Sequence, residues 1–155
     1  MQCEICQCNK TETLALAGLL QPLPIPTQVW SDISMDFIGR LPKVQRKDTI
    51  LVVVDRFTKY AHFFALAHPF TTIEVAQLFI NEVVKLHGFP STIVSDRDKL
   101  FLSKFWRELF RHAATKLKYS TTYHPQSDGQ TEVINCCLET YLCCMTGSQS
   151  RKWRQ

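Results

Sequence analysis

Apolar and polar positions change their rhythm several times along the chain. In WSDISMDFIG, Ile33, Met35 and Phe37 alternate with Asp32, Ser34 and Asp36, the period of a half-buried strand. DTILVVVDRF is a continuous, β-branched apolar run, which predicts a central strand buried on both faces. YAHFFALA follows as its hairpin partner, with Arg56 to Lys59 as the turn. The period then becomes helical. In TTIEVAQLFINEVVKLHGFP, apolar residues fall at 75, 76, 79, 80, 83 and 86; Thr71 with Glu74 forms a capping-box pattern, and Gly88 and Pro90 stop the helix. STIVSD reads as a short strand ending at Asp96. Ser103 caps KFWRELFRHAA, with Phe105, Trp106, Leu109, Phe110 and Ala113 on its inner face. KLKYST supplies a fifth strand, and a last helix over 130–145 has Ile134, Leu138, Tyr141 and Met145 as its inner stripe.

The predicted order is β-β-β-α-β-α-β-α, an α/β fold. Three antiparallel strands lead into alternating helices and strands, forming a mixed sheet covered by helices on both faces. Residues 11–29, with three prolines and a glycine, read as an extended linker, and the domain occupies 30–150. A chain of 155 residues suits one domain with a real core. Its 45% hydrophobic and 21% charged residues argue against wholesale disorder. A net charge of +4 permits a polyanionic partner without requiring one.

No run of about 18 apolar residues is present, so no membrane span is expected. The first ten residues lack the apolar stretch of a signal peptide. The seven cysteines therefore read as reduced thiols or metal ligands. Cys137 and Cys144 share a helix face, but seven residues of helix separate their Cα atoms by ~10 Å, beyond the ~7 Å reach of a disulfide.

Chemistry rests on the carboxylates Asp36, Asp55, Asp96, Asp98, Asp128 and Glu132, all near strand ends or helix starts. Metal-assisted phosphoryl chemistry needs two or three carboxylates converging on one point, because Mg²⁺ takes oxygen ligands and leaves room for substrate phosphates. Each also has a bland reading: Asp36 a solvated strand face, Asp96 a turn former, Glu132 a favourable charge at a helix start. Asp55 fits the turn after its strand. Asp98 and Asp128 fit turns, with Asp98 a rival to Asp96.

Four stretches in order decide between these readings. VWSDISMDFIGRLP, ILVVVDRFTKYAHF, GFPSTIVSDRDKLFLSKFW and STTYHPQSDGQTEVIN resemble the integrase region of gypsy-type LTR retrotransposon polyproteins, of the kind abundant in plants. The 35 residues between Asp96 and Glu132 match the Asp, Asp, 35-residue-gap, Glu signature of retroviral and retrotransposon integrases. The resemblance implies an RNase H-like core with Asp36, Asp96 and Glu132 as catalytic residues and ligands of Mg²⁺ or Mn²⁺. It implies 3′-end processing of element DNA and its strand transfer into target DNA, with DNA as the partner, homodimerisation as in family cores, and action in the nucleus or within a cytoplasmic virus-like particle. Gln130 and Asn135 neighbour Glu132 and are candidate DNA contacts; Lys99, Lys104, Lys116 and Lys118 are candidate phosphate contacts.

By the same resemblance, Cys3 and Cys6 in CEICQCNK fall on the two cysteines of a His-His-Cys-Cys zinc module, making residues 1–10 an incomplete half-site. Zinc wants four ligands, so no stable zinc is expected in this stretch. SRKWRQ, with residues 151–155, resembles the start of a continuation into a C-terminal domain. Ala114, where the family commonly has glycine, and the extra cysteines of NCCLETYLCCM depart from the pattern. Two other readings are a catalytically silent fragment that retains only nucleic-acid or protein binding, and a structure-specific nuclease of the RNase H type.

Overall fold

The computed structural model describes residues 25–39, 41–119 and 129–146. Cys3, Cys6, the linker up to residue 24, Asp128 and residues 151–155 lie outside them. Strands β1 (Asp32–Ile38), β2 (Thr49–Asp55) and β3 (Ala61–Leu66) come first. Helix α1 (Thr72–Phe79), β4 (Thr92–Ser95), α2 (Lys104–His112), β5 (Lys116–Tyr119) and α3 (Gly129–Thr146) come next in the chain. The five strands form one sheet in the order β3-β2-β1-β4-β5. The first three pair antiparallel, and β4 pairs parallel to both β1 and β5. This is the mixed, helix-covered RNase H-like arrangement.

Alternation along β1 sends its side chains to two different cores. Ile33 and Met35 join Leu51, Val53 and Ile93 beneath α1 and α2, where Val75, Phe79, Trp106 and Phe110 close the larger core. On the opposite face Ile38, Ile50, Val52 and Val54 form a second cluster against Ile134, Leu138 and Leu142 of α3. The even-numbered side of β1 is therefore a covered face rather than a solvated one. Ser34 is fully buried on it, and its hydroxyl has no hydrogen-bond partner. The expected inner stripe of α3 is corrected at one position: Tyr141 is exposed and Leu142 packs inward, because spacings of four keep 134, 138 and 142 in one row. Met145 lies outside the described side chains.

Helix α1 starts as its sequence dictates. The Thr71 hydroxyl accepts from the Glu74 N–H, and the Glu74 carboxylate accepts from the Thr71 N–H at 2.6 Å. The helix then does something its sequence does not announce. Residues Ile80–Val84 are π-helical before a last α turn, Lys85–His87, and Gly88 at φ 83° ends the run. A π segment holds an extra residue per hydrogen-bonded ring and so rotates the next turn of helix about the axis. Leu86, expected inside, is consequently exposed. In α2, capped by Ser103 as expected, Trp106 and Phe110 are fully buried while Phe105 lies 45% exposed on the flank.

Candidate carboxylate site

Parallel pairing of β1 with β4 aligns the site. The register runs Asp32 with Thr92, Ile33 with Ile93, Ser34 with Val94 and Met35 with Ser95. Continued one step past the paired residues, that register would set Asp36, within β1, beside Asp96, which directly follows β4. Period-two alternation puts Asp36 on the same face as Ser34, the face that α3 covers.

Each carboxylate has local partners. The Phe37 N–H donates to Asp36 Oδ1 at 2.7 Å, and the Asn135 side-chain amide donates to Asp36 Oδ2 at 2.6 Å. The Asp98 N–H donates to Asp96 Oδ1 at 3.1 Å. Burial pushes the Asp96 carboxyl above its ordinary value; the Asp98 N–H pulls it back, and the Asp98 charge adds to the rise. Asp98 is exposed, and its own Oδ1 accepts from the Leu100 N–H at 2.8 Å, as befits a turn residue.

The Asn135–Asp36 bond joins residues 99 apart and fastens α3 to β1. Glu132 lies three residues before Asn135 in that helix, hence one turn away on the same face. The side chains of Glu132 and Gln130 lie outside the described ones. Among the described residues no group of three or more histidine, cysteine, aspartate or glutamate side chains is close enough to hold a metal ion. The donor set nonetheless suits a hard divalent cation. Asp36 and the partly desolvated Asp96 are oxygen donors, and Mg²⁺ or Mn²⁺ accepts carboxylate oxygens from few protein groups.

The remaining expected site residues divide by position. Lys99 is exposed in the loop after Asp96, and Lys104 is exposed at the start of α2, both downstream of the carboxyl end of β4. On β5, Leu117 and Tyr119 pack against the larger core, so Lys116 and Lys118 alternate to the carboxylate face. Lys118 pairs with Val94 and Lys116 with Thr92. Lys118 therefore sits about two residues, ~7 Å, short of the Asp96 level, and Lys116 ~13 Å short of it. Asn135, expected as a DNA contact, has its side-chain amide on Asp36. The spacing of three from Glu132 is the signal that pointed to it. Asp55 serves the turn as expected, accepting from Trp30 N–H, Phe57 N–H, Thr58 N–H and Thr58 Oγ1. Cys136 and Cys137 are exposed free thiols, and among the described residues no helix is long and apolar enough to cross a membrane.

Comparison with known proteins extends this picture. No family model matches the chain. The Tf2-3 and Tf2-4 transposon polyproteins of Schizosaccharomyces pombe are each 35% identical to it over 151 residues, covering 97% of this chain and 11% of the polyprotein. The chain thus spans about one-ninth of the length of these relatives. In fold it matches a chain of the cryo-electron microscopy structure of the simian T-cell lymphotropic virus intasome in complex with PP2A regulatory subunit B56 gamma. That match has TM-score 0.66 and 20% identity over 94% of this chain and 50% of the other. At this identity the chain is homologous to one segment of the Tf2 transposon polyproteins.

Proposed function

We propose that the chain is the catalytic core of a gypsy-type LTR retrotransposon integrase, a polynucleotidyl transferase acting on DNA. The observation that carries this reading is the parallel pairing of β1, which holds Asp36, with β4, which ends just before Asp96, together with the Asn135–Asp36 bond that fastens α3 to β1. Homology to transposon polyproteins supports it.

In this reading Asp36, Asp96 and Glu132 would hold a divalent cation, and such an ion would supply charge stabilisation to a phosphodiester under attack. Asn135 keeps one Asp36 oxygen oriented through its amide, and the Phe37 N–H fixes the other. The Asp98 N–H fixes an Asp96 oxygen. Asp36 lies within β1 and Asp96 directly follows β4, so the paired strands would limit the reorganisation needed when substrate arrives. Water attacks near the element's DNA end in the first step, and the freed 3′-hydroxyl attacks target DNA in the second. Lys118 on the carboxylate face, with Lys99 and Lys104 downstream of the carboxyl end of β4, would contact phosphates, which makes target choice nearly blind to sequence.

The test is strand-transfer reversal on branched DNA with Mg²⁺ or Mn²⁺, comparing the chain with Glu132→Gln. Metal-dependent resolution of the branch that disappears in the variant is the expected result. Absence of resolution by folded wild-type protein would refute the reading and leave a silent fragment. Cleavage without joining would indicate a nuclease.

A further inference from the structure

On the opposite face of the sheet, at its β3 edge, two histidines meet. His62 Nε2 lies 3.0 Å from His87 Nε2. His62 pairs with Val53, which pairs with Met35, so it stands two strands, ~10 Å, from β1 and faces the α1 side. The indole of Trp30 stacks on His87 with centroids 3.9 Å apart and planes 8° from parallel, and it also touches His62 at 5.1 Å. Tyr60 meets the His62 ring edge-on at 5.3 Å.

Two features of the backbone show that this arrangement is built at a cost. Trp30 sits at φ 58°, a conformation a bulky residue seldom adopts, and its N–H is held there by Asp55 Oδ1 at 3.1 Å. The π-helical segment immediately before Lys85–His87 re-phases the helix end. It leaves Leu86 66% exposed while His87 lies flat on Trp30. A regular helix would keep the apolar pattern and bury Leu86 instead. π segments concentrate at functional sites for this reason: they re-aim side chains.

We propose that His62 and His87 form a two-imidazole site for one borderline divalent cation of the nickel, copper or zinc class, separate from the carboxylate site. With metal–nitrogen distances of ~2.0–2.1 Å, two imidazole nitrogens on one ion stand about 2.9 Å apart at a right angle and about 3.3–3.4 Å apart at a tetrahedral angle. The observed 3.0 Å falls between them, nearer the right angle that tetragonal nickel(II) and copper(II) favour. In the free protein the same separation holds one N–H···N hydrogen bond. On binding, the donating ring moves its proton from Nε2 to Nδ1, both Nε2 lone pairs go to the ion, and no proton is lost overall. His87 is exposed, so water completes the coordination shell. Burial first, and then the neighbouring His87, hold His62 below the usual imidazole value, while Glu82 in the π segment opposes them with a negative charge. Imidazole pairs suit this class of metal, whereas Mg²⁺ takes oxygen ligands, so the two sites do not compete. A bound ion would clip the end of the α1 run to the edge strand.

The test uses Ni²⁺ with the full chain above the imidazole titration range, beside a Cys136→Ser/Cys137→Ser variant that removes the two exposed thiols found among the described residues of α3. Calorimetry gives the stoichiometry, and paramagnetic broadening of side-chain NMR signals gives the location. One equivalent is expected, with broadening centred on His62, His87 and Trp30 and persisting in the thiol variant. His62→Phe and His87→Phe, which keep a ring in the aromatic cluster, should weaken binding by more than the ~10–100-fold typical of losing an outer-shell partner. If either phenylalanine variant fails to fold, the broadening map of the wild type decides alone. No uptake by folded wild-type protein, or uptake centred elsewhere and unchanged in both variants, would overturn the proposal.

Discussion

Replacing Asn135 separates the two jobs its amide performs, holding α3 on the sheet and orienting Asp36. The bond is short, 2.6 Å, part-buried and directed to a carboxylate, so it belongs to the charge-assisted class worth about 1.5–3 kcal/mol. Asn135→Ala removes that bond but also removes the Asn135 Oδ1, a buried acceptor with no partner. Relief of that orphan offsets part of the loss, and Asp36 keeps the Phe37 N–H. The net destabilisation should be about 1–2 kcal/mol, read as a lower urea midpoint at unchanged slope. Asn135→Asp is isosteric and sets a second carboxylate against Asp36. It should destabilise more than alanine in metal-free buffer and recover selectively when Mg²⁺ is added, because a cation turns the repulsion into shared ligation. In strand-transfer reversal, Asn135→Ala should reduce the rate about tenfold for each ~1.4 kcal/mol of lost positioning. Equal urea midpoints for wild type, alanine and aspartate variants, with no Mg²⁺ dependence, would refute the placement of α3 over Asp36.

Thr71→Ala removes the hydroxyl side of the capping box and should lower stability by about 1 kcal/mol in urea denaturation, with little effect on DNA binding. The Asp48 carboxyl is held below its ordinary value, first by the His68 N–H at 2.8 Å and then by the Lys43 charge. Its stabilising contribution is therefore full above the unfolded carboxylate value near ~3.9 and is lost as pH falls through the lower folded value. Wild type should exceed Asp48→Asn in thermal midpoint at neutral pH, and the gap should close as the solution is acidified past that window. Lys118→Ala should weaken DNA binding alike for unrelated sequences and flatten the salt dependence by about one counterion, measured by fluorescence anisotropy across salt concentrations.

Local rules carried much of this fold. Capping residues, strand periods and the Asp55 turn are each set within a few residues of chain, and the structure keeps them. The failures share one physical cause, packing that comes from far along the sequence. Alternation in β1 reads as one wet face because nothing near Ser34 announces that α3, a hundred residues later, will cover it. Leu86 reads as core because an even helical period has no place for the π segment, which ends just before the turn that stacks His87 on Trp30. Tyr141 and Leu142 compete for one inward position. An aliphatic row at intervals of four against Ile50, Val52 and Val54 settles it, and that surface exists only once the sheet is assembled.

The carboxylate site shows the same limit in sharper form. A count of 35 residues between Asp96 and Glu132 is a statement about chain length, and chain length alone places nothing. Asp36 lies in β1 and Asp96 directly follows β4, and these strands pair in parallel, a contact that spans β2, β3 and the whole α1 run. Parallel strands require such a crossover, so their register cannot be read from either strand by itself. A slip of one residue would turn Asp96 to the opposite face, beneath α1 and α2, and leave Asp36 without its neighbour. What prevents the slip is apolar: Ile93 must enter the larger core beside Ile33 and Met35. The residues that bury fix the register, and the register in turn brings the charged residues together. Substituting Ile93 should therefore disturb the site more than its distance from Asp36 suggests, because it is the anchor that keeps both carboxylates on one face.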